Sequence, residues 1–206
     1  MVRSRQGDTR LELLRWGLVP EWSSDPGIGG RMINARAETI GMKPAFREPY
    51  RRSRCLVPIR AFYEWTGPRK RRRPVAIRSS DDRLLTLAGI WTQAHSTGES
   101  VLETFAIITK PAGAVIEAIH DRMPVIIREE ERHAWLDQRD PGEGGPTSED
   151  LHGILHRAGD DGLRIHPVSD RVNSPRHDDP GLLDEDQRSN DPGRDEAPGL
   201  FDGSMD

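Results

Sequence analysis

The sequence predicts an α+β fold, an antiparallel sheet or barrel of many short strands carrying a few short helices. Three observations predict it. Short runs that are apolar, or that alternate apolar with polar residues, recur along the chain, as strands with one buried face require. Turn-forming residues separate those runs. Segments with helical spacing or helix-end chemistry are few and brief, which points to a sheet-based layer rather than a bundle.

In chain order, residues 11–19 make the first strand and 36–45 a helix. Strands follow at 54–58 and 62–65, and the second of these returns as 74–78 through a turn holding the basic run Arg69-Lys70-Arg71-Arg72-Arg73. Strands at 84–91 and 102–109 lead into a helix at 112–119 and a strand at 124–128. The helix at 129–136 opens with Glu129, Glu130 and Glu131, which suits the positive end of a helix dipole. A Gly/Pro-dense loop at 140–148 precedes a helix at 148–156, and 163–168 is the last strand.

The chain of 206 residues is long enough for one domain with a real core plus extra chain. Residues 176–206 read as a disordered acidic tail, rich in Asp, Pro and Gly without apolar periodicity. That tail holds ten acidic and three basic residues, so of the net charge of −4 it carries −7 and the 1–175 body +3. A mildly basic body suits a partner with phosphates. Within the tail, Pro180-Gly181-Leu182-Leu183-Asp184 is echoed by Pro198-Gly199-Leu200-Phe201-Asp202. The echo reads as a solubilising tail or as a faint Leu-Phe hook for a replication-machinery partner. No run approaches the about 20 apolar residues of a membrane span. The charged first residues do not resemble a secretory signal, and the single Cys55 precludes an internal disulfide. The expectation is a cytoplasmic, nucleoid-associated monomer without membrane contact, cofactor or metal.

Four segments place polar, reactive groups inside apolar runs: Arg15 to Trp22, Ile33 to Thr39, Cys55 to Trp65, and Ile119 to Pro124. Alternation puts Tyr63 and Trp65 on one strand face and Phe62, Glu64 and Thr66 on the other. Glu64 in a partly apolar pocket would have a raised pKa useful for proton transfer; on an open face it is a solvated carboxylate. His120 is either an acid–base group or a residue that bonds the last carbonyls of a helix. Asn34 either orients a substrate or caps the helix after it. Arg36, Arg122 and Trp22 suit a single-stranded nucleic acid, through guanidinium forks on phosphates and stacking on bases; Trp22 suits core packing equally. The 69–73 run offers phosphate attraction or a solvated loop. His152 and His156, spaced i, i+4, could hold zinc, but no cysteine or carboxylate cluster accompanies them.

These four segments, in this order, resemble the signature blocks of the SRAP (SOS response-associated peptidase) family of abasic-site-processing proteins. The blocks are Trp16-Gly17, Asn34-Ala35-Arg36-Ala37-Glu38-Thr39, Cys55-Leu56-Val57-Pro58 leading to Tyr63-Glu64-Trp65, and Thr109 followed by Ile119-His120-Asp121-Arg122-Met123-Pro124. Pro167-Val168-Ser169 and Val172-Asn173 extend the match, which covers Arg15 to Asn173. The resemblance implies an SRAP-like sheet and a covalent chemistry on abasic single-stranded DNA. In such proteins an N-terminal cysteine, freed by removal of the initiator Met, attacks the ring-opened sugar through its α-amine. Its thiol then closes the imine to a thiazolidine crosslink. An α-amine with a pKa of about 7.7–8.0 is substantially unprotonated at neutral pH. By matched motif, Asn34 orients the cysteine or sugar, Glu64 handles protons on the amine and supports Met removal, and His120 assists ring opening and reversal. Trp22, Arg36, Thr109 and Arg122 match positions that contact DNA.

The match departs from the family at the start. Members begin Cys-Gly-Arg some tens of residues before the Trp-Gly block, whereas here only Met1 to Arg15 precede it and position 2 is Val. The start is therefore read as misassigned or truncated. Cys55 matches a core position and is expected to be buried and inert. Three readings follow: a crosslinking abasic-site protein whose N-terminus is missing here, a catalytically silent single-stranded-DNA binder, and a fragment that does not fold.

Overall fold

In the computed structural model two long strands, β8 (Leu85–His95) and β9 (Val101–Pro111), run antiparallel and form the spine of the larger sheet. The structure describes residues 1–5, 8–68, 70–95, 101–157 and 159–186. On one side of β8 lies β5 (Arg54–Ile59), then β1 (Val2–Arg5) and β2 (Asp8–Leu11). One edge of β9 carries two short parallel strands, β3 (Arg15–Trp16) and β4 (Asn34–Arg36). On the other edge β8 diverges, and the segment containing β10 (Arg122–Pro124) wedges in: the Val125 amide donates to Ile108 and the Ala88 amide to Val125, both at 2.8 Å. A smaller antiparallel sheet orders β11 (Leu163–Pro167), β7 (Arg73–Ser79) and β6 (Ala61–Thr66). Both sheets are open, so the fold is α+β without a closed barrel.

Three layers result. Ala88, Ile90, Ala106 and Ile108 point from the large sheet into a core shared with Tyr50, Trp135, Leu151 and Leu155. Those last residues come from α1 (Arg47–Arg52), α3 (Arg132–Leu136) and α4 (Ser148–Arg157). In α4, Leu151, Ile154 and Leu155 form the buried stripe of an amphipathic helix, and Thr147 and Asp150 cap each other at its start. The other sheet face meets the small sheet through Val57, Leu87, Phe105, Phe62 and Leu163. Buried Arg54 ties α1 and α3 to β5, donating to the carbonyls of Trp135 (2.8 Å), Tyr50 (2.9 Å), Arg51 and Asp137. Beside it the Trp135 indole donates to the Cys55 carbonyl at 2.8 Å.

Most expected strands are present with small shifts at their ends. The run expected at 11–19 is instead the end of β2 and the two-residue β3, separated at residues 12–14; β3 stops at Gly17, whose φ of +115° puts it where an L side chain is strained, and a Cβ there would also meet the Gly29 carbonyl oxygen at 2.7 Å. The helix expected at 36–45 is replaced by β4 and a single 3-10 turn, Ala37–Thr39. Parallel pairing with β9 satisfies that backbone, so tertiary context overrides helical propensity. Helix α1 was not foreseen. The other expected helices are present: α2 (Ala114–Glu117), α3 behind a 3-10 turn at Glu129–Glu131, and α4.

Residues 176–186, expected to be tail, lie along the small sheet instead. Pro180–Leu183 makes a 3-10 turn, Glu185 bridges Val168, and the Asp186 amide donates to Pro167 at 2.9 Å. The physical reason is local: Asp179 caps the turn through the Gly181 amide and pairs with Arg171. The second Pro-Gly-Leu piece, with Leu200-Phe201, lies outside the described residues.

Candidate functional site

The divergence of β8 from β9 opens a pocket of about 560 Å³ between the two sheets. Strand alternation builds its wall. On β9, Phe105, Ile107 and Thr109 face the pocket while Ala106 and Ile108 face the helical core. On β4, Ala35 is fully buried between exposed Asn34 and Arg36, and register sets Asn34 beside Ile107 and Arg36 beside Thr109. From the small sheet, β6 brings Phe62, Tyr63, Glu64 and Trp65. The turn after α2 and strand β10 bring His120, Arg122 and Met123. The lining is mostly apolar with a few polar groups, the usual make-up of a small-molecule site.

Asn34, Glu64 and His120 thus converge on one pocket, with Thr109 and Arg122 beside them. Asn34 lies in a strand and caps no helix, so the capping alternative falls. Burial pushes the Glu64 carboxyl above its ordinary value of 4.5; positive neighbours His120 and Arg72 oppose that shift, and Asp121 adds to it. Glu64 is therefore a pocket carboxylate and not one on an open face. His120 Nδ1 stands 3.0 Å from the Arg122 amide and 3.1 Å from the Arg122 carbonyl, so the backbone of Arg122 holds the ring in place with Nδ1 as acceptor or as donor according to its tautomer. The Asp121 carboxylate stands 3.4 Å from the same Nδ1, ready to receive a proton-bearing ring.

The expected DNA contacts divide. Thr109 and Arg122 line the pocket, and Arg36 is exposed next to it in register. Trp22 does not line the pocket: it sits in the turn after β3, and at 67% exposure it is not a core residue. Arg122 is engaged already, as a fork on the Glu38 carboxylate and through Nη2 to the Thr109 carbonyl at 2.8 Å. Of the basic run, Arg72 lies within electrostatic reach of Glu64; Arg69 is outside the described residues. Cys55 is fully buried, and burial pushes its thiol far up, so it is no nucleophile. The described residues lining the pocket include neither lysine nor cysteine. The His152 and His156 rings lie 4.0 Å apart on α4, and among the described residues no third His, Cys, Asp or Glu joins them as a metal ligand set.

Sequence reasoning missed two members of the site. Trp16 lines the pocket with its indole pinned to the Ile33 carbonyl at 2.8 Å. Trp65 is held by the Asn173 side chain, also at 2.8 Å. Both tryptophans stand in the motif blocks, but nothing in their local spacing says what holds them.

The family model "SOS response associated peptidase (SRAP)" matches residues 1–175. The abasic site processing protein YoqW of Bacillus subtilis is 38% identical over 179 residues, which span 86% of this chain and 77% of that protein. The abasic site processing protein HMCES of Mus musculus is 32% identical over 82% of this chain and 55% of its own length. Among solved structures, a protein from Bacteroides thetaiotaomicron superposes with a TM-score of 0.76 over 90% of this chain and 80% of that one; at 24% identity that likeness speaks for the fold alone. A phage-related protein of Bordetella bronchiseptica matches at 30% identity and a TM-score of 0.59, over 79% of this chain and 73% of that one. A model matched across most of the chain and relatives at this identity make one conclusion plain: the chain belongs to the SOS response associated peptidase family.

Proposed function

We propose that this chain processes abasic sites in single-stranded DNA, taking the baseless sugar into the pocket between the sheets. One observation carries the reading: Asn34, Glu64 and His120 come from three distant segments and meet in one cavity that Thr109 and Arg122 also line. The printed names of the relatives, abasic site processing proteins, support it. In this reading the His120 ring protonates the ring oxygen as the sugar C1–O bond breaks, and a base accepts the proton of the C1 hydroxyl, leaving the aldehyde. Glu64, as its carboxylate, takes the proton released when an amine adds to that aldehyde, and burial, which raises its pKa, makes it a better base for that step. The Asn34 amide orients the sugar, Arg36 meets phosphate, and the exposed Trp22 ring is a stacking face for a base.

A polypeptide made to these 206 residues opens Met1-Val2 and has its single thiol, Cys55, buried. Incubated with abasic single-stranded DNA, it is expected to form no adduct that survives boiling, while borohydride should trap an imine. A boil-resistant shifted band without borohydride refutes this chemistry. The pocket's lack of lysine and cysteine also favours a second reading, binding without covalent capture; an absence of any borohydride-trapped adduct selects it.

Binding itself should weaken with salt through counterion release. In fluorescence anisotropy, Arg36→Ala is expected to lower affinity several-fold and to flatten the slope of log K against log salt by about 0.7, one single-strand phosphate contact. An unchanged slope in a folded variant removes Arg36 from the DNA surface.

A further inference from the structure

A carboxylate stands among the arginines of the proposed DNA surface. Glu38, on the 3-10 turn after β4, pairs with Arg122 and lies in the field of Arg36. The Arg122 guanidinium is 19% exposed and engaged on both outer nitrogens: Nη1 to Glu38, and Nη2 to Glu38 at 3.0 Å, to the Thr109 carbonyl at 2.8 Å and to the Thr109 hydroxyl at 3.2 Å. Its Nε is buried without a partner. A phosphate approaching this arginine meets a neutral pair, not a cation. It must displace the carboxylate or share the fork, and either costs more than binding a free guanidinium.

We infer that Glu38 is a specificity-determining residue: it discharges Arg122 so that phosphate alone is a weak ligand and occupancy of the pocket by the baseless sugar must supply the rest of the binding. The inference rests on the abasic-site reading above. Specificity is a difference of affinities, and lowering the affinity for every intact strand raises it as effectively as improving the target. The pairing persists across the physiological range, because the hydrogen bond from Arg122 holds the Glu38 carboxyl below its ordinary value. The Thr109 hydroxyl and carbonyl keep Arg122 in place when the carboxylate is lost, so Glu38→Gln removes the charge and leaves the fork anchored.

The experiment compares two labelled oligonucleotides at low salt, one intact and one carrying a tetrahydrofuran abasic analogue, on wild type, Glu38→Gln and Glu38→Ala. Thermal melts verify that each variant is folded. Both variants are expected to bind the intact strand roughly 3- to 10-fold more tightly. The salt slope should steepen by about 0.7 for one freed phosphate contact. The preference for the abasic strand should shrink, because the intact strand gains more. Affinity for the intact strand that falls or stays constant in folded variants overturns the inference and leaves Glu38 as a brace for Arg122. A wild type without preference for the abasic strand overturns the abasic-site reading instead. The discharge of Arg122 is then judged on the intact strand alone.

Discussion

Replacing Arg54 with methionine is expected to cost roughly 3–5 kcal/mol of folding stability, as a shift in urea midpoint at unchanged slope. Methionine restores much of the buried volume but no donor. The carbonyls of Tyr50, Arg51, Trp135 and Asp137 would then be left without the guanidinium that binds them. Burial already pulls the Arg54 pKa down to about 10, so the site tolerates the cation only because those acceptors surround it. Arg54→Lys should recover only part of the loss, since one ammonium cannot span acceptors on two helices as a planar fork does. A loss below about 1 kcal/mol for Arg54→Met would mean that α1 and α3 are held by Trp135 and Tyr50 packing alone.

Glu64→Gln should slow borohydride-trapped capture of an abasic oligonucleotide on the order of 100-fold, with thermal stability preserved. The pH dependence carries the same assignment. Glu64 acts as its carboxylate, and burial raises its pKa above 4.5, so wild-type capture should fall as pH drops through a value above 4.5. In Glu64→Gln that acid limb should vanish, leaving only the titration of the attacking amine. A limb that persists in the variant assigns it to another group, His120 first. Capture by Glu64→Gln at the wild-type rate would strip Glu64 of its role.

The strands were legible because their signal is local: apolar runs at 54–58, 84–91 and 102–109 declare themselves without knowledge of their neighbours. The short segments were not. Asn34 and Arg36 look like the start of a helix until β9 lies beside them, since a three-residue strand has almost no preference of its own. The motif residues were readable as a set, but their meeting depends on register. Thr109 reaches the pocket because alternation along β9 sends Lys110 to the opposite face. Buried cations were invisible for a related reason. Nothing near Arg3 or Arg54 in the sequence shows that Glu12 and Glu103 clasp the first, or that helix-end carbonyls receive the second. The segment at 176–186 was misread because its composition is acidic, while its anchors, Val168 and Pro167, lie back on β11 and just beyond it.

The parallel seating of β3 and β4 on β9 has a kinetic consequence. The Val19 amide finds the Thr104 hydroxyl across 85 residues, and the Thr92 hydroxyl bonds the Val19 carbonyl from 73 residues away. The pairing of β5 with β8, across the β6–β7 hairpin, and of β8 with β9 closes shorter loops and can condense first, because loop-closure entropy grows with separation. The Asn34 wall of the pocket joins only after those distant ends dock. Refolding followed by tryptophan fluorescence should therefore regain the core before the protein regains its hold on DNA, and substitutions in β4 should speed unfolding more than they slow folding.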